Sequence, residues 1–135
     1  MTEFKSTPVV IETEAKEIFS FLSDFNNFEK LMPEQVINWQ STTDNCSFTI
    51  KGMADLAMHM EKKDAARYIS YASDGKSPFP FQLSFDISGG DKPESTVQAS
   101  LHAKLNPMLK MMASRPLQNF INLLTEKLKE VMERG

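Results

Sequence analysis

From Val36 to Lys104 the chain changes face every second residue, run after run. Phe79, Phe81, Leu83, Phe85 and Ile87 form the clearest of these runs. Around it stand Ile37, Trp39 and Ser41; Cys46, Phe48 and Ile50; Leu56, Met58 and Met60; Arg67 to Ser73; and Val97 to Leu105. Period-two alternation is the pattern of a strand with one face dry and one wet. Thr43-Asp44-Asn45, Lys63 to Ala66, Asp74 to Pro78 and Gly89 to Pro93 separate the runs with turn chemistry. Such short connections imply antiparallel neighbours. A sheet with one apolar face needs a cover.

The flanking segments supply strand, plug and cover. Phe4 to Ile11 is rich in β-branched residues and reads as a first strand, giving seven in all. Ala15, Ile18, Phe19 and Leu22 share one face of a short helix. Asp24 caps a second, with Phe25, Phe28 and Leu31 on one side and Pro33 as its stop. Asn106-Pro107 opens a long helix in which Leu117, Phe120, Ile121, Leu124, Leu128, Val131 and Met132 recur at helical spacing. Pro116 inside it is expected to kink the helix or split off its first turns. The expected fold is α+β: a seven-stranded antiparallel sheet wrapped on a long carboxy-terminal helix, with two short helices after the first strand. All 135 residues fit one domain.

This order resembles the START-like superfamily, also called SRPBCC, with its helix-grip fold. It includes birch-pollen-allergen-like proteins, polyketide cyclases and coenzyme Q-binding proteins. Ile18 to Pro33 carries the resemblance, which spans Glu3 to Glu133. Phe48 to Met53 and Asn106 to Met112 look like segments of a small bacterial subgroup. The resemblance implies an apolar cavity between sheet and long helix. On the phases above, its lining is expected to include Trp39, Phe48, Met58, Met60, Tyr71, Phe79, Phe81, Phe85 and Leu101 from the sheet side. Met108, Met112, Phe120 and Leu124 are expected from the helix. Six of the nine methionines fall in two clusters, and methionine suits surfaces that accept varied apolar shapes. The expected ligand is small, apolar or amphipathic. A cyclase- or dehydratase-like enzyme and a chaperone-activator-like interaction module are the alternatives.

Charge and chemistry narrow the classes. Net charge is −3 and the pI about 5.4, which argues against nucleic-acid binding. Residues 1–94 hold 9 basic and 15 acidic side chains, a net −6; residues 95–135 hold 6 and 3, a net +3. Ser95 to Thr125 contains no acid but carries Lys104, Lys110 and Arg115. Lys110 and Arg115 are expected at the cavity mouth, facing the carboxylate or phosphate of an amphipathic ligand or an anionic membrane surface. One cysteine, Cys46, forms no internal disulfide and fits a reducing compartment such as the cytoplasm. No signal peptide or membrane-inserted helix is expected. No metal spacing joins His59, His102 and Cys46, so no metal and no cofactor are expected. Asp74-Gly75-Lys76-Ser77 lacks the earlier glycine of a phosphate loop, since Ser70 stands there, and reads as a turn. Both histidines fall on the polar phase. Tyr71, Tyr68, Asn38, Gln40 and Asp55 are the polar groups tested for an inward, catalytic role; no catalytic residue is assigned.

Overall fold

The computed structural model describes residues 1–75 and 77–134. The strands are β1 (Thr2–Lys5), β2 (Val9–Ile11), β3 (Val36–Ser41), β4 (Asn45–Ile50), β5 (Ala54–Asp64), β6 (Tyr68–Ser73), β7 (Phe81–Ser88) and β8 (Ser95–Ala103). The helices are α1 (Ala15–Leu22), α2 (Phe25–Phe28), which runs into a 3₁₀ turn at Glu29–Leu31, and α3 (Pro107–Arg134). All strands join one antiparallel sheet in the order β1-β8-β7-β6-β5-β4-β3, with β2 also on β8. This is the α+β helix-grip arrangement.

The expected first strand is two strands, making eight. Pro8 has no N–H for the ladder, so pairing breaks before it. Ser6 bridges the break. Its backbone N–H donates to the Ala99 carbonyl at 2.9 Å, and its Oγ accepts from the Ala99 N–H at 3.0 Å. Lys5 pairs with Ser100, whereas Val9 pairs with Val97, so the register slips by one residue across Ser6–Pro8.

A second departure lies in β3. Val36 pairs with Ile50 and Gln40 with Ser47, across a bulge between Ile37 and Gln40. Asn38 sits there at φ 56°, a left-handed conformation that asparagine tolerates better than most residues. The bulge resets the phase. Trp39 points inward as expected, while Ile37 turns outward and is 36% exposed. The bulge also breaks up this free edge of the sheet.

The caps follow the sequence. Asp24 Oδ1 accepts from the Asn26 N–H at 2.9 Å, and Asn106 Oδ1 from the Leu109 N–H at 2.8 Å. Pro116 lies within one continuous helical element, not at a break between two. It is exposed, so the Met112 carbonyl left without a helical donor is on the solvent side. In the turn before β8, Gly89 has φ 144°, and a Cβ there would lie 2.7 Å from the Glu94 carbonyl oxygen.

The core lies between the inward sheet face, α1–α2 and α3. Its α1–α2 end is aromatic. Tyr71 sits 4.9 Å from Phe25, 5.4 Å from Phe28 and 6.2 Å from Phe85, ring centre to ring centre. All four side chains are fully buried. The Tyr71 hydroxyl donates to the Leu22 carbonyl at 2.7 Å. That carbonyl ends α1 and has no partner within the helix. One buried hydroxyl thus closes a helix end and ties α1 to β6.

Tyr71→Phe keeps the ring but strands that carbonyl. The expected loss is about 1–3 kcal/mol in urea unfolding. Tyr68→Phe, on the wet face, is expected to stay within about 0.5 kcal/mol of the parent. Equal effects for the two would refute the assignment.

Candidate functional site

At the other end of the core a small void remains, of about 10 Å³. Its lining is wholly apolar. Phe48, Met58, Phe79, Phe81, Leu101 and Phe120 line it, as the sequence phases imply. Leu56, Leu83 and Leu117 complete it. These three lie on the same inward phases, so their spacing marked them as core; nothing in the sequence separates lining from core. The site draws on β4, β5, β7, β8 and α3, plus the arm before β7. Phe79 is in that arm, outside the strand, and packs on Phe81 at 6.0 Å.

The remaining expected lining residues lie elsewhere. Trp39 stacks on Phe48 at 5.4 Å, one layer behind the void. Phe48 in turn stacks on Phe120 at 6.2 Å. Met60 is half-buried beside the core. Tyr71 and Phe85 belong to the aromatic end. Leu124 is fully buried further along α3.

Met108 and Met112 are a clear correction. They are 71% and 68% exposed, outside the core. At about 100° per residue, Met108, Met111, Met112, Arg115 and Asn119 fall in one arc, opposite Ala113, Leu117, Phe120 and Leu124. Placing Met108 and Met112 with Phe120 and Leu124 slips the helical phase by about a third of a turn. Lys110 and Arg115 are exposed on the same helix end. Among the described residues neither makes an ion pair, and no open mouth joins them to the void.

Size decides what this interior can hold as it stands. One water needs roughly 10–15 Å³ and a drug-sized ligand roughly 300–1,000 Å³. The void is closed to anything larger than water, and its apolar walls keep it dry. Larger depressions exist, but they are open; some lie on the wet face of the sheet, and one of about 390 Å³ lies between α1 and the end of α3, at Glu17, Phe21, Val131 and Met132. The largest, about 690 Å³, spreads over Gln40, Ser47, Ala57 and Asp74.

The polar candidates are accounted for one by one. Asn38, Gln40 and Asp55 are exposed, and Asp55 accepts from Thr49 Oγ1 at 2.6 Å. Tyr68 lies under the Lys62 ammonium, 5.8 Å from its ring centre. His59 and His102 are on the wet face, each 2.6 Å from a carboxylate, Asp74 and Glu3 respectively. Among the described residues no group of three metal-ligating side chains forms. Lys76 lies outside the described residues; its neighbour Ser77 Oγ donates to the Ala57 carbonyl at 3.1 Å, as turn residues do. Tyr71 alone of these candidates reaches the interior. Burial pushes its phenol well above its ordinary value, and its hydroxyl is committed to Leu22.

Searches against family models and curated proteins find no match. Solved structures do match. A START superfamily protein from Mycobacterium smegmatis superposes with TM-score 0.70 at 16% identity, covering 98% of this chain and 97% of that one. The Aha1 dimer from Colwellia psychrerythraea gives TM-score 0.68 at 13% identity, covering 100% and 98%. The di-domain ARO/CYC BexL of the BE-7585A biosynthetic pathway gives 0.73 at 15% identity; 96% of this chain matches 46% of that one. The fold is therefore START-like, the SRPBCC arrangement that the resemblance implied. Among the described residues no helix is long and apolar enough to cross a membrane.

Cys46 sits beside this core, facing Met58 across the β4–β5 ladder. Burial pushes its thiol up to about 12 from an ordinary 9.0. The folded state therefore keeps a proton that the unfolded chain releases. This contribution to stability is intact below pH 9.0 and is lost as pH rises towards about 12. Tyr71 acts in the same direction at higher pH. The urea midpoint is expected to fall across that window, less steeply in Cys46→Ala. A flat parent profile would contradict it. Native Cys46 is also expected to resist alkylation near neutral pH, because the reactive form is the thiolate.

Proposed function

We propose that the protein binds a small apolar or amphipathic molecule, lipid-like in character, between the sheet and α3, without transforming it. The carrying observation is the position and chemistry of the void. It is wholly apolar and walled from both layers, and its helix wall, Leu117 and Phe120, flanks the first side-chain tie of α3 to the strands. Side-chain hydrogen bonds from α3 to the strands begin, among the described residues, at Gln118, which donates to the Lys5 carbonyl at 2.9 Å. Lys129 donates to the Val10 carbonyl at 2.7 Å, and Glu133 accepts from the Glu12 N–H at 3.0 Å. The first three turns have no such tie; there Ala113 and Leu117 are fully buried and Leu109 and Ser114 half-buried. Binding works by displacement: the ligand shifts α3 around Gln118, at the expense of that tie, and takes the place of the side chains beneath it. A compartment that keeps Cys46 reduced, the cytoplasm, suits this reading.

One observation favours a second reading, a protein-interaction module with a closed core. The void is already almost filled, while exposed large apolar side chains concentrate on α3. A cyclase- or dehydratase-like activity would have to start from Tyr71, since no carboxylate, histidine or lysine is buried among the described residues.

Trp39, the single tryptophan, reports on the site through Phe48. Long-chain fatty acid is titrated against its emission, and gently purified protein is weighed by native mass spectrometry. Phe120→Leu enlarges the void, and Leu101→Phe fills it. The expected result is a saturable emission change that is stronger in Phe120→Leu and lost in Leu101→Phe, with circular dichroism unchanged. Overfilling costs about 1–3 kcal/mol, so urea midpoints accompany the titrations. No retained mass and no response in either the parent or Phe120→Leu would move the weight to the interaction module.

A further inference from the structure

We propose that the amino-terminal half of α3 docks on an anionic lipid surface, with its three exposed methionines entering the headgroup boundary and its cations meeting phosphate. Met108, Met111 and Met112 are 71%, 87% and 68% exposed, on one side of two successive turns. They make up half of the six large apolar side chains exposed in the described structure. A contiguous exposed apolar patch marks a surface built to be covered.

The charge around the patch says what covers it. Arg115 lies in the same arc as the methionines, and Lys104 and Lys110 are exposed at the same helix end. None of the three forms an ion pair among the described residues. No acid occurs from Ser95 to Thr125, in a chain whose net charge is −3. Arg115 thus shares the methionine arc, while Lys110, about half a turn round the helix, and Lys104, ahead of it, add positive charge at the same end. Further along the same outer side of α3 stand Glu126 and Glu130, while Glu133 turns back to the Glu12 N–H. The second half is net neutral, because Lys127, Lys129 and Arg134 balance these acids, so an anionic surface attracts the first half alone and the helix meets it by its beginning.

Shape favours a lipid over a protein partner. The patch has no tryptophan, tyrosine or phenylalanine to seat in a partner's pocket, and three flexible side chains are small beside the roughly 800 Å² per partner of a stable protein interface. A lipid boundary demands apolar side chains and cations but no fixed complementary shape. The attachment is peripheral, weak and salt-sensitive. It does not depend on whether the void takes a ligand.

The full chain is co-sedimented with vesicles of equal parts phosphatidylcholine and phosphatidylserine, and with phosphatidylcholine alone. The proposal expects binding to the first at least about tenfold stronger than to the second, and weakened by salt. Lys110→Glu combined with Arg115→Glu should lower it by about tenfold or more. Met108→Ser, Met111→Ser and Met112→Ser together should lower it with the charges intact. All these positions are exposed, and unchanged urea midpoints verify the fold. Equal binding to both vesicle types, or full binding by the charge-reversed chain, overturns the proposal. So does absence of vesicle binding, including where the patch instead joins two copies, read as a dimer lost in the serine variant, or binds a protein.

Discussion

One face of the sheet must be kept dry, and a single helix does most of that work. Leu117, Ile121, Leu124 and Leu128 of α3 are all buried, and each such side chain withdrawn from water contributes about 1.5–3 kcal/mol. The short helices close the other end with Phe25, Phe28 and Leu31, all fully buried. Tyr71 joins the two systems by giving α1's last carbonyl the donor its own helix cannot supply. Remove the cover and the strands have an apolar face with nothing to bury it. The rest of the architecture, from the order of the strands to the closure of the void, depends on that cover being in place.

Much of this was legible in the sequence because side-chain period is set by backbone geometry. The Phe79–Ile87 alternation fixes an inward face, and β7 presents Phe81, Leu83, Phe85 and Ile87 to the core. Asp24 and Asn106 announce their helices because a short polar side chain satisfies the first free N–H groups. What was not legible involves local breaks of period. The Asn38 bulge sends Ile37 outward while Trp39 stays in, although the two alternate in sequence. Pro8 divides a strand that β-branched residues make look continuous. Met108 and Met112 look like core because methionine is apolar, but on α3 a residue's direction follows from its angle to Leu117 and Phe120. Among the site residues, phase identified the inward ones. It could not say which of them border a void, because that depends on how side chains from four strands and a helix fill space together.

The void has an energetic meaning beyond its size. Phe28, Trp39, Phe48 and Phe120 stack in succession, at 6.1, 5.4 and 6.2 Å, from the short helices across the sheet edge to α3. A ligand entering beside Phe48 and Phe120 breaks into that series. It must return the stacking and burial those rings already enjoy. A rigid polar molecule offers nothing in exchange, whereas a flexible apolar chain replaces like with like. On the proposed function, the lining would select for ligand chemistry even while closed.

On the two proposals, opening and surface attachment would meet in the same segment of α3. Lifting its first turns wets Leu109, Ala113 and the rings below, and the cost rises with the apolar area exposed. In water nothing offsets that cost, which is one reason the resting interior is closed. Against a lipid boundary the uncovered side chains meet hydrocarbon instead, and the cost falls. The ties at Lys129 and Glu133 would hold the remainder of the helix on the sheet during such a movement, whereas the one at Gln118, between Leu117 and Phe120, would have to give. A closed void and an exposed apolar helix face therefore need not belong to rival functions. They lie on the two sides of one helix segment, which buries Ala113 and Leu117 inward and exposes Met108, Met111 and Met112 outward.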